Sequence, residues 1–427
     1  MPLSIPAVLQ SALTKPVAIL GAGLSGQGLQ ALMRNLGLPA VVYDQNGVHF
    51  SVAKANSHKL VIFSPGFAPN HPWLVTACEA GLECMSELDF AALFWRGRII
   101  AITGTNGKTT LTEFLTHALR HVWETAHAVG NIGRPFSRLV TDTAGGNGDD
   151  LAICEVSSFQ AETIQHFKAD AVLWTNFAED HLDRHVSLDA YFNAKWALVV
   201  RTADTAVLAG SSVYRHARKF NFVMPMSTWI ETENQPVDAA LAGTVFADYP
   251  QRENYLLASA WWKLSKRDPS QLLAAAKSFR LGRHRLAQVG QIDGVTFWND
   301  SKATNFHAVE AALGGFKDPV HLILGGKSKG GDVSGFVGRI GGAVQSIHLI
   351  GETRQALAAA CEAQNILHQI HDSLDAALQQ AVAMAKKGEH VLLSPGFASF
   401  DMFQSYEDRG EQFEHLVRNL ASTANLN

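Results

Sequence analysis

The clearest chemical signal in the sequence is the run GTNGKTT at positions 104–110, between a β-branched strand (RIIAIT) and an amphipathic helix (LTEFLTHALRHV). Backbone N–H groups of such a loop bind phosphates, and its lysine reaches the outer ones. The alternative is an ordinary strand-to-helix turn. The run is a shortened P-loop, because Ile102 stands where the eight-residue pattern has glycine. We predict phosphate binding by Gly104, Thr105, Asn106, Gly107, Lys108, Thr109 and Thr110, with Thr109 also holding Mg²⁺.

Two acidic segments follow the next apolar strands. Glu155 ends DLAICE, where a carboxylate could reach a phosphate-bound magnesium ion. His181, in TNFAEDHLD, is the best further ligand candidate. The alternatives are a solvated loop acid for Glu155 and a helix cap for Asp183. Lys195 lies among aromatic and apolar residues, where burial would favour a neutral, reactive amine; taken alone, it reads as a surface lysine with a packed stem.

A second glycine loop, GAGLSG at positions 21–26, is followed by Asp44 at the end of the next strand. This spacing fits a dinucleotide-binding turn and favours hydride transfer as a rival function. The loop can equally bind the diphosphate of another nucleotide, or serve only as a structural turn. A nicotinamide dehydrogenase has no need of the second phosphate loop, which counts against that class.

Two polar segments mark the last third of the chain. NDSKATN at positions 299–305 follows a strand and presents an acid and a base two residues apart. GGKSKGGD at positions 325–332 carries lysines on flexible backbone, which suits a carboxylate substrate. A solvated basic loop is the alternative.

Strands and helices alternate along the chain, with polar residues just past the strand ends where open α/β sheets bind ligands. A chain of 427 residues exceeds one ordinary hydrophobic core. The pattern predicts an α/β protein of three domains: a Rossmann-like domain over 1–96, a central P-loop domain with a parallel sheet over 97–281, and a Rossmann-like domain over 282–427.

Composition excludes several classes of partner. The formal charge of −4 offers no bulk attraction to phosphate backbones or anionic lipid, so we expect neither nucleic-acid nor membrane binding. The four cysteines match no metal or redox motif, which predicts reduced, packed thiols. No apolar stretch reaches bilayer length and no signal-type N-terminus is present, so we expect a cytoplasmic protein, and we expect it to be a monomer.

In order, GTNGKTT, EVSSFQ, TNFAEDHLDRH, Lys195, LGRHRL, NDSKATN, LGGKSKGGD and LLSPGFASFDMFQSYEDRG resemble the Mur ligase family over essentially the whole chain. The resemblance implies an enzyme of peptidoglycan precursor synthesis. In such a reaction ATP phosphorylates the carboxylate of UDP-N-acetylmuramoyl-L-alanine, and the amine of glutamate attacks the acyl phosphate. The glycine loop of the first domain would then bind a UDP-sugar.

The resemblance also implies roles for individual residues. It implies two Mg²⁺ ions, one at Thr109 and one at Glu155, His181 and a carbamylated Lys195, with Lys108, His181 and Lys195 as the catalytic set. ATP would contact Asn254, Arg285, Asp300 and Lys302, with Arg285 moving in as the third domain closes. The UDP-sugar substrate would contact Leu24, Ser25, Asp44, Ser64, Gly66, Asn131, Ser157 and Gln160. Glutamate would contact Thr304, Lys329, Ser399, Phe400 and Tyr406.

Several alternatives stay open at this level. A sibling ligase adding another amino acid and a folate polyglutamylating enzyme share the ATP domain, although the UDP-type first domain argues against the latter. A dehydrogenase and a non-catalytic nucleotide-binding module are rivals of other classes. NADH fluorescence, or ATP binding without phosphate release, would separate these. The sequence leaves open whether D- or L-glutamate is the substrate.

Overall fold

The structure of the chain is a computed structural model that describes residues 3–202, 206–223, 228–233, 235–236 and 238–424. The chain divides into two compact units. Unit 1 consists of Met1–Phe177, Asp189–Thr244 and Glu253–Phe279, and unit 2 consists of Ala178–Leu188, Val245–Arg252 and Arg280–Asn427. Each unit has its own hydrophobic core.

The first sheet of unit 1 has four parallel strands in the order β2-β1-β3-β4. Strands β1 and β3 are buried along their whole length, because helices cover both faces of a parallel sheet. The strands are β1 (Val17–Leu20), β2 (Ala40–Tyr43), β3 (Leu60–Phe63) and β4 (Glu83–Ser86). The helices are α1 (Leu24–Leu36), α2 (Val52–Ala55), α3 (Pro72–Glu79) and α4 (Glu87–Ala92), preceded by 3₁₀ turns at Ala7–Leu9 and Ala12–Thr14.

The second sheet of unit 1 has six parallel strands in the order β10-β9-β8-β5-β7-β6. Its strands are β5 (Arg98–Thr103), β6 (Ala126–Gly130), β7 (Leu151–Glu155), β8 (Ala171–Trp174), β9 (Val207–Ala209) and β10 (Thr228–Trp229). The helices of this part of the chain are α5 (Lys108–His121), α6 (Phe136–Asp142), α7 (Ser158–Ala161), α8 (Leu182–His185), α9 (Leu188–Val199), α10 (Ser211–Lys219), α11 (Gln251–Leu264) and α12 (Pro269–Ser278), with a 3₁₀ turn at Ala239–Leu241. Because β5 lies between β7 and β8, the residues that follow these three strands meet at one edge.

Two buried carboxylates join the two sheets of unit 1. Glu87 accepts a hydrogen bond from the backbone N–H of Ser137 at 2.7 Å. Asp89 accepts three, from the N–H groups of residues 165–167 at 2.6–3.1 Å. Both side chains are almost fully buried. Buried carboxyl groups of this kind fix the mutual position of the elements they bond, because leaving a buried polar group without a hydrogen bond is costly.

The sheet of unit 2 has six strands in the order β11-β12-β16-β13-β14-β15. Only β11 and β12 pair antiparallel; the other neighbours are parallel. The strands are β11 (Ala287–Ile292), β12 (Val295–Asn299), β13 (Val320–Gly325), β14 (Ser346–Ile350), β15 (His368–Ile370) and β16 (His390–Leu393). The helices are α13 (Phe306–Leu313), α14 (Val333–Ile340), α15 (Arg354–Ala363), α16 (Leu374–Met384) and α17 (Tyr406–Ala424), with a 3₁₀ turn at Gly341–Ala343.

This architecture confirms the predicted α/β class, with a helix-covered, largely parallel sheet in each third of the chain. The domain limits 1–96, 97–281 and 282–427 remain a prediction. All four cysteines are free, as expected, but Cys78 is exposed and so is not the packing residue that we predicted. Within the described ranges, no helix has both the length and the hydrophobicity needed to cross a bilayer.

A buried hydrogen-bonded chain of polar side chains crosses the sheet of unit 2. Glu389 lies 3.0 Å from His321 Nε2, and His321 Nδ1 lies 2.7 Å from Ser346 Oγ. The same hydroxyl lies 3.0 Å from His348 Nε2, whose ring reaches His371 through Nδ1 at 3.2 Å. Burial, together with the neighbouring His371 and His321, lowers the pKa of His348 from 6.5 to about 4. His348 is therefore neutral in the folded protein at neutral pH.

Acid should destabilise unit 2 through His348. Since its folded-state pKa lies below the unfolded value, the unfolded chain binds more protons between pH 4 and 6.5. This contribution to stability is complete above pH 6.5 and is lost as the pH falls towards 4. Its size is about 3 kcal/mol. Urea unfolding across this pH window should show a shallower loss of stability in His348→Asn than in wild type.

The control for this experiment is His415→Asn, because the ring of His415 is exposed. Glu389 also titrates in the acid range, with a pKa lowered by its hydrogen bond from His321. Its effect is common to both proteins and cancels in the comparison. The same pH dependence in wild type and His348→Asn would contradict the prediction.

Candidate active site

The glycine loop of unit 1 joins the central strand β5 to helix α5, which begins at Lys108. Gly104 has φ 145° and Gly107 has φ 82°, and both values lie in the region that favours glycine. The first-turn N–H groups of α5 therefore follow directly on the loop, where they can bind an anion. Thr109 and Thr110 lie in this first turn and are buried. The predicted phosphate loop thus has the strand-loop-helix geometry that its chemistry requires.

Residues after β8 brace this loop. Thr175 Oγ1 donates to the carbonyl of Asn106 at 2.6 Å. The side chain of Asn176 bonds both backbone groups of Asn106, accepting from N–H at 2.9 Å and donating to the carbonyl at 3.2 Å. On α11, the amide of Asn254 lies against Gly107, so that a Cβ at that position would come within 3.0 Å of its nitrogen. Asn254, predicted to contact ATP, thus lies beside the predicted phosphate loop.

Two lysines converge on one carbonyl of the loop. Lys108 Nζ donates to the carbonyls of Gly104 at 3.0 Å and Thr105 at 2.8 Å. Lys195 Nζ, from α9, donates to the same Gly104 carbonyl at 2.9 Å. Both lysines therefore end at the edge of the sheet where the loop begins.

Lys195 is a core residue. Its side chain is 1% exposed, its Nζ lies 3.4 Å from Thr103 Oγ1, and it sits 4.8 Å from the centre of the Tyr191 ring. The alternative interpretation as a surface lysine is wrong. Burial disfavours an ammonium ion at Lys195, whereas the Gly104 carbonyl and the Tyr191 ring favour it.

Glu155, at the end of β7, has the environment of a cation ligand. It is 2% exposed. One carboxylate oxygen accepts a hydrogen bond from Asn131 Nδ2 at 3.0 Å, while the other is buried and has no hydrogen-bond partner among the described residues. Since buried polar atoms are nearly always satisfied, a bound cation would account for this oxygen. Glu155 and Asn131, both predicted site residues, thus lie together.

Ser157 and Gln160 form a reciprocal capping box at the start of α7. Ser157 Oγ accepts from the N–H of Gln160, and Gln160 Oε1 accepts from the N–H of Ser157 at 3.0 Å. Both follow β7 directly and so lie close to Glu155 in the chain. Their bonding gives them a structural role in addition to the predicted contact with substrate.

In the first sheet, the carboxylate of Asp44 closes the glycine turn between β1 and α1. It accepts hydrogen bonds from the backbone N–H groups of Asn46 at 3.0 Å and Ala22 at 2.9 Å, and these bonds lower its pKa. The hydroxyl of Ser64 is buried without a partner among the described residues. Three other residues predicted for the UDP-sugar lie in the first turn of α1 or in the loop after β3 and are partly or fully exposed: Leu24, Ser25 and Gly66.

In unit 2, the three residues predicted for ATP lie just before β11 or just after β12. Arg285 stands between two residues of positive φ, and its Nη2 is buried without a partner among the described residues. Asp300 accepts from Leu286 N–H at 3.0 Å and from Ser394 Oγ at 2.9 Å. Burial raises the pKa of Asp300 to about 7 despite these bonds. Lys302 Nζ lies 4.9 Å from the centre of the Tyr406 ring.

The residues predicted for glutamate also belong to unit 2. Lys329 Nζ lies 3.3 Å from Thr304 Oγ1, so these two meet. The loops carrying Lys329 and Ser399 are joined by backbone hydrogen bonds between Lys327 and Ala398 at 2.8 and 3.2 Å. Two other residues predicted for glutamate differ in exposure: Ser399 is buried, and Phe400 is 69% exposed.

His181 immediately precedes the short helix α8 and has φ 55°, and its Nε2 lies 3.6 Å from Asp180 Oδ2. It belongs to unit 2, whereas Thr109, Glu155 and Lys195 belong to unit 1. No cluster of three or more His, Cys, Asp or Glu side chains suited to a metal ion occurs in the part of the chain that the structure describes. The complete predicted ligand set remains a prediction.

Comparison with known proteins identifies the family to which this chain is similar. The Mur ligase middle domain matches residues 102–227, and the Mur ligase glutamate ligase domain matches residues 284–397. A UDP-N-acetylmuramoylalanine–D-glutamate ligase from Caldanaerobacter subterraneus is 31% identical over 449 residues, covering 95% of this chain and 98% of that protein. A ligase of the same name from Acidobacterium capsulatum is 32% identical, covering 94% and 96%.

The chain belongs to the Mur ligase family. Two solved structures share the fold of this Mur ligase. They are a UDP-N-acetylmuramate-alanine ligase from Thermotoga maritima (TM-score 0.60, 14% identity, 95% of this chain and 99% of that one) and a pseudomurein peptide ligase type C from Methanothermus fervidus (TM-score 0.62, 13% identity, 95% and 100%). At such low identity they establish the fold alone.

Sequence reasoning missed several residues that shape the site of this Mur ligase. Thr175 and Asn176 lie in the TNFAEDHLD segment, in which only His181 was predicted to act at the site, and they brace the phosphate loop. Arg409, fully buried on α17, donates to the carbonyls of Ser301 at 2.8 Å and Phe397 at 3.2 Å. It thereby ties the loops after β12 and β16 together. The sequence does not predict that Arg409 is buried, because the EDRG segment around it is highly charged.

Proposed function

We propose that this Mur ligase joins D-glutamate to UDP-N-acetylmuramoyl-L-alanine at the expense of ATP, a step in peptidoglycan precursor synthesis. The observation that carries the proposal is full-length similarity, at 31% and 32% identity, to ligases named for this reaction. The braced glycine loop and the buried Glu155 and Lys195 at one sheet edge support it.

The chemistry requires activation of the acid. A free carboxylate resists attack by an amine because the leaving group would be oxide. Transfer of the γ-phosphoryl group from ATP gives an acyl phosphate and ADP, and attack by the glutamate amine then gives the amide and inorganic phosphate. We assign phosphate binding to residues 104–110, with Lys108 facing the outer phosphates and Asn254 beside the loop. Arg285, Asp300 and Lys302 are the further residues assigned to ATP.

We assign one Mg²⁺ ion to Thr109 and another to Glu155, His181 and carbamylated Lys195. The buried, unpartnered oxygen of Glu155 fits this assignment. When bound, the ions would offset repulsion between ATP phosphates and the substrate carboxylate. Asn131 holds the other oxygen of Glu155 and so orients the carboxylate.

We assign the UDP-sugar to the first sheet and the residues after β6 and β7, and glutamate to unit 2. The sugar nucleotide would meet Leu24, Ser25, Asp44, Ser64, Gly66, Asn131, Ser157 and Gln160. Glutamate would meet Thr304, Lys329, Ser399, Phe400 and Tyr406. The pairing of Lys329 with Thr304 supports the second set, since a lysine and a hydroxyl together suit a carboxylate. We further propose a cytoplasmic location, which agrees with the four free cysteines, and a monomeric state.

A phosphate-release assay tests the proposed function. Purified protein is given ATP, Mg²⁺, UDP-N-acetylmuramoyl-L-alanine and either D- or L-glutamate. We expect ADP and phosphate only when all components are present, with the D enantiomer preferred. Absence of ADP formation with both enantiomers would overturn the proposal. Turnover with another amino acid instead would identify a sibling ligase.

Lys329→Ala should raise the KM for glutamate far more than the KM for ATP. The variant removes the cation that we assign to a glutamate carboxylate, a loss of about 10- to 100-fold in affinity for a charge-assisted hydrogen bond. Steady-state kinetics with each substrate varied in turn measure both constants. Lys317→Ala, on an exposed loop, is the matched control. Equal increases in the two constants would remove Lys329 from the glutamate site.

A further inference from the structure

The lysine assigned to a glutamate carboxylate is paired with a carboxylate of the protein itself. Lys329 Nζ lies 3.3 Å from Asp180 Oδ1, and also 3.3 Å from Thr304 Oγ1. The side chain of Asp180 is 6% exposed and that of Lys329 is 19% exposed. All three residues belong to unit 2. A positive and a negative group therefore stand side by side in one place.

Asp180 is held firmly in this position. Its Oδ1 accepts the backbone N–H of His181 at 2.8 Å, and its Oδ2 accepts Asn305 Nδ2 at 3.0 Å. Asn305 also caps helix α13 through its own side-chain oxygen, which accepts the N–H of Ala308 at 2.9 Å. A chain of hydrogen bonds thus fixes the carboxylate relative to the helix that follows NDSKATN.

The pair lies at the wall of a small recess of about 20 Å³. Its remaining lining includes Phe306, Phe397 and the glycines of the loop after β13, so its walls are largely apolar or backbone. Besides Lys329, the recess is bordered by Glu179, Asp180 and His181. A small ligand in it would meet a cation and an anion within a few ångströms of each other.

We propose that Asp180 binds the ammonium group of the incoming amino acid while Lys329 binds a carboxylate of the same molecule. The inference rests on the proposed function. An amino acid carries both charges on one carbon, and an adjacent Lys and Asp match that zwitterion in sign and spacing. Asp180 is then a substrate-binding residue that selects an amino acid over a simple dicarboxylate, because the latter would set its carboxylate against Asp180 with no ammonium to offset it.

The opposing possibility is that Asp180 only positions Lys329. The two roles predict different results for a ligand that lacks the amine. Glutarate has the two carboxylates of glutamate and the same chain length but no ammonium group. If Asp180 binds ammonium, Asp180→Asn weakens glutamate binding and leaves glutarate binding unchanged or tighter. If Asp180 only positions Lys329, the substitution weakens both ligands together.

The experiment uses the full chain in the phosphate-release assay, with glutamate as substrate and glutarate as competitive inhibitor. For Asp180→Asn we expect the KM for glutamate to rise about 10- to 100-fold, the effect of losing a hydrogen bond to a charged group. The Ki for glutarate should stay the same or fall. Asparagine has one acceptor oxygen, so it can keep the hydrogen bond from Asn305 or the one from the His181 N–H, and thermal unfolding of the variant must show that the loop is retained. Asp183→Asn, an exposed acid on α8, is the matched control and should leave both constants unchanged.

Three outcomes would overturn the inference: parallel weakening of glutamate and glutarate, no change in either, or a raised Mg²⁺ requirement with an unchanged KM for glutamate. The first would make Asp180 a positioning residue, and the last would tie it to the metal next to His181. Failure of the proposed function is distinguishable, since wild type would then form no ADP with either enantiomer of glutamate. An active wild type with any of the three outcomes rejects the inference alone.

Discussion

Lys108→Ala should abolish turnover while leaving the fold intact. Lys108 is the first residue of α5, and its amine ends at the glycine loop, 3.0 Å from the Gly104 carbonyl and 2.8 Å from that of Thr105. From this position a lysine can turn to the outer phosphates of a nucleotide, where charge develops as the γ-phosphoryl group is transferred. Removing such a cation should reduce kcat by at least about 10³-fold.

The measurements are phosphate release and calorimetric binding of ADP. The variant should lose affinity for ADP much less than it loses turnover, because the loop N–H groups and the start of α5 still bind phosphate. Lys263→Ala, at an exposed position of α11, is the control and should behave as wild type. The melting temperature should change little, because Thr175 and Asn176 also brace the loop. Turnover within tenfold of wild type would show that the 104–110 run is a structural turn.

Much of the fold could be predicted because local pattern and tertiary environment agree. The apolar runs that become β1, β3, β5, β7 and β8 are buried along their length, as expected of strands in a helix-covered parallel sheet. The polar residues that end them meet at one edge because parallel strands share a direction. The order of the strands could not be predicted, since β5 lies between β7 and β8 only through long crossovers that leave no local trace.

The hairpin of β11 and β12 has a local sequence signal in the turn between the strands. Asp293 and Gly294 have φ values of 51° and 82° and form a two-residue turn between the strands. An Asp-Gly pair between alternating apolar residues favours this turn type. The Asp-Gly pair therefore predicts the antiparallel pairing at the edge of this otherwise parallel sheet. The short strands β4 and β15 have no comparable signal, because their residues are half polar and lie at or near sheet edges.

The candidate site likewise contains residues that the sequence identifies and contacts that it does not. Residues inside a motif, such as Gly104, Glu155 and Lys329, could be named because spacing and residue type indicate their chemistry. The sequence does not predict the contact between Asp180 and Lys329, because Lys329 lies 149 positions further along the chain. Its acidity within the AEDH segment pointed to metal binding instead. A contact between side chains that are distant in sequence depends on the packing of α8 against the loop after β13, which periodicity does not encode.

Lys195→Arg should lose most of its activity although it keeps the positive charge. The Lys195 amine is buried at the edge that carries Glu155 and the phosphate loop. We propose that the neutral amine nitrogen bonds to the carbon of CO₂ and loses one proton to solvent, which gives a carbamate anion that can support a cation where an ammonium would repel it. Arginine cannot form this carbamate. We therefore expect a reduction in kcat of at least about 10²-fold, comparable to the loss of one essential electrostatic group.

Two measurements separate this role from damage to the core. The first is ¹³C NMR after incubation with ¹³C-bicarbonate, which should give a carbamate signal in wild type and none in Lys195→Arg. The second is the response to CO₂: activity of degassed wild type should rise when bicarbonate is added, and that of the variant should not. Thermal unfolding of Lys195→Arg must first show that the larger guanidinium is tolerated beside Tyr191 and Thr103.

Lys195→Met supplies the necessary control if the arginine proves too large. Methionine has a similar length, no charge, and is well accommodated in cores. It removes both the ammonium and the carbamate, so it should be as inactive as the arginine variant and at least as stable as wild type, because a buried amine is replaced by an apolar group. Near-normal turnover in a folded Lys195→Arg protein would refute the carbamate, since arginine keeps the positive charge and the hydrogen-bond donors but cannot be carbamylated.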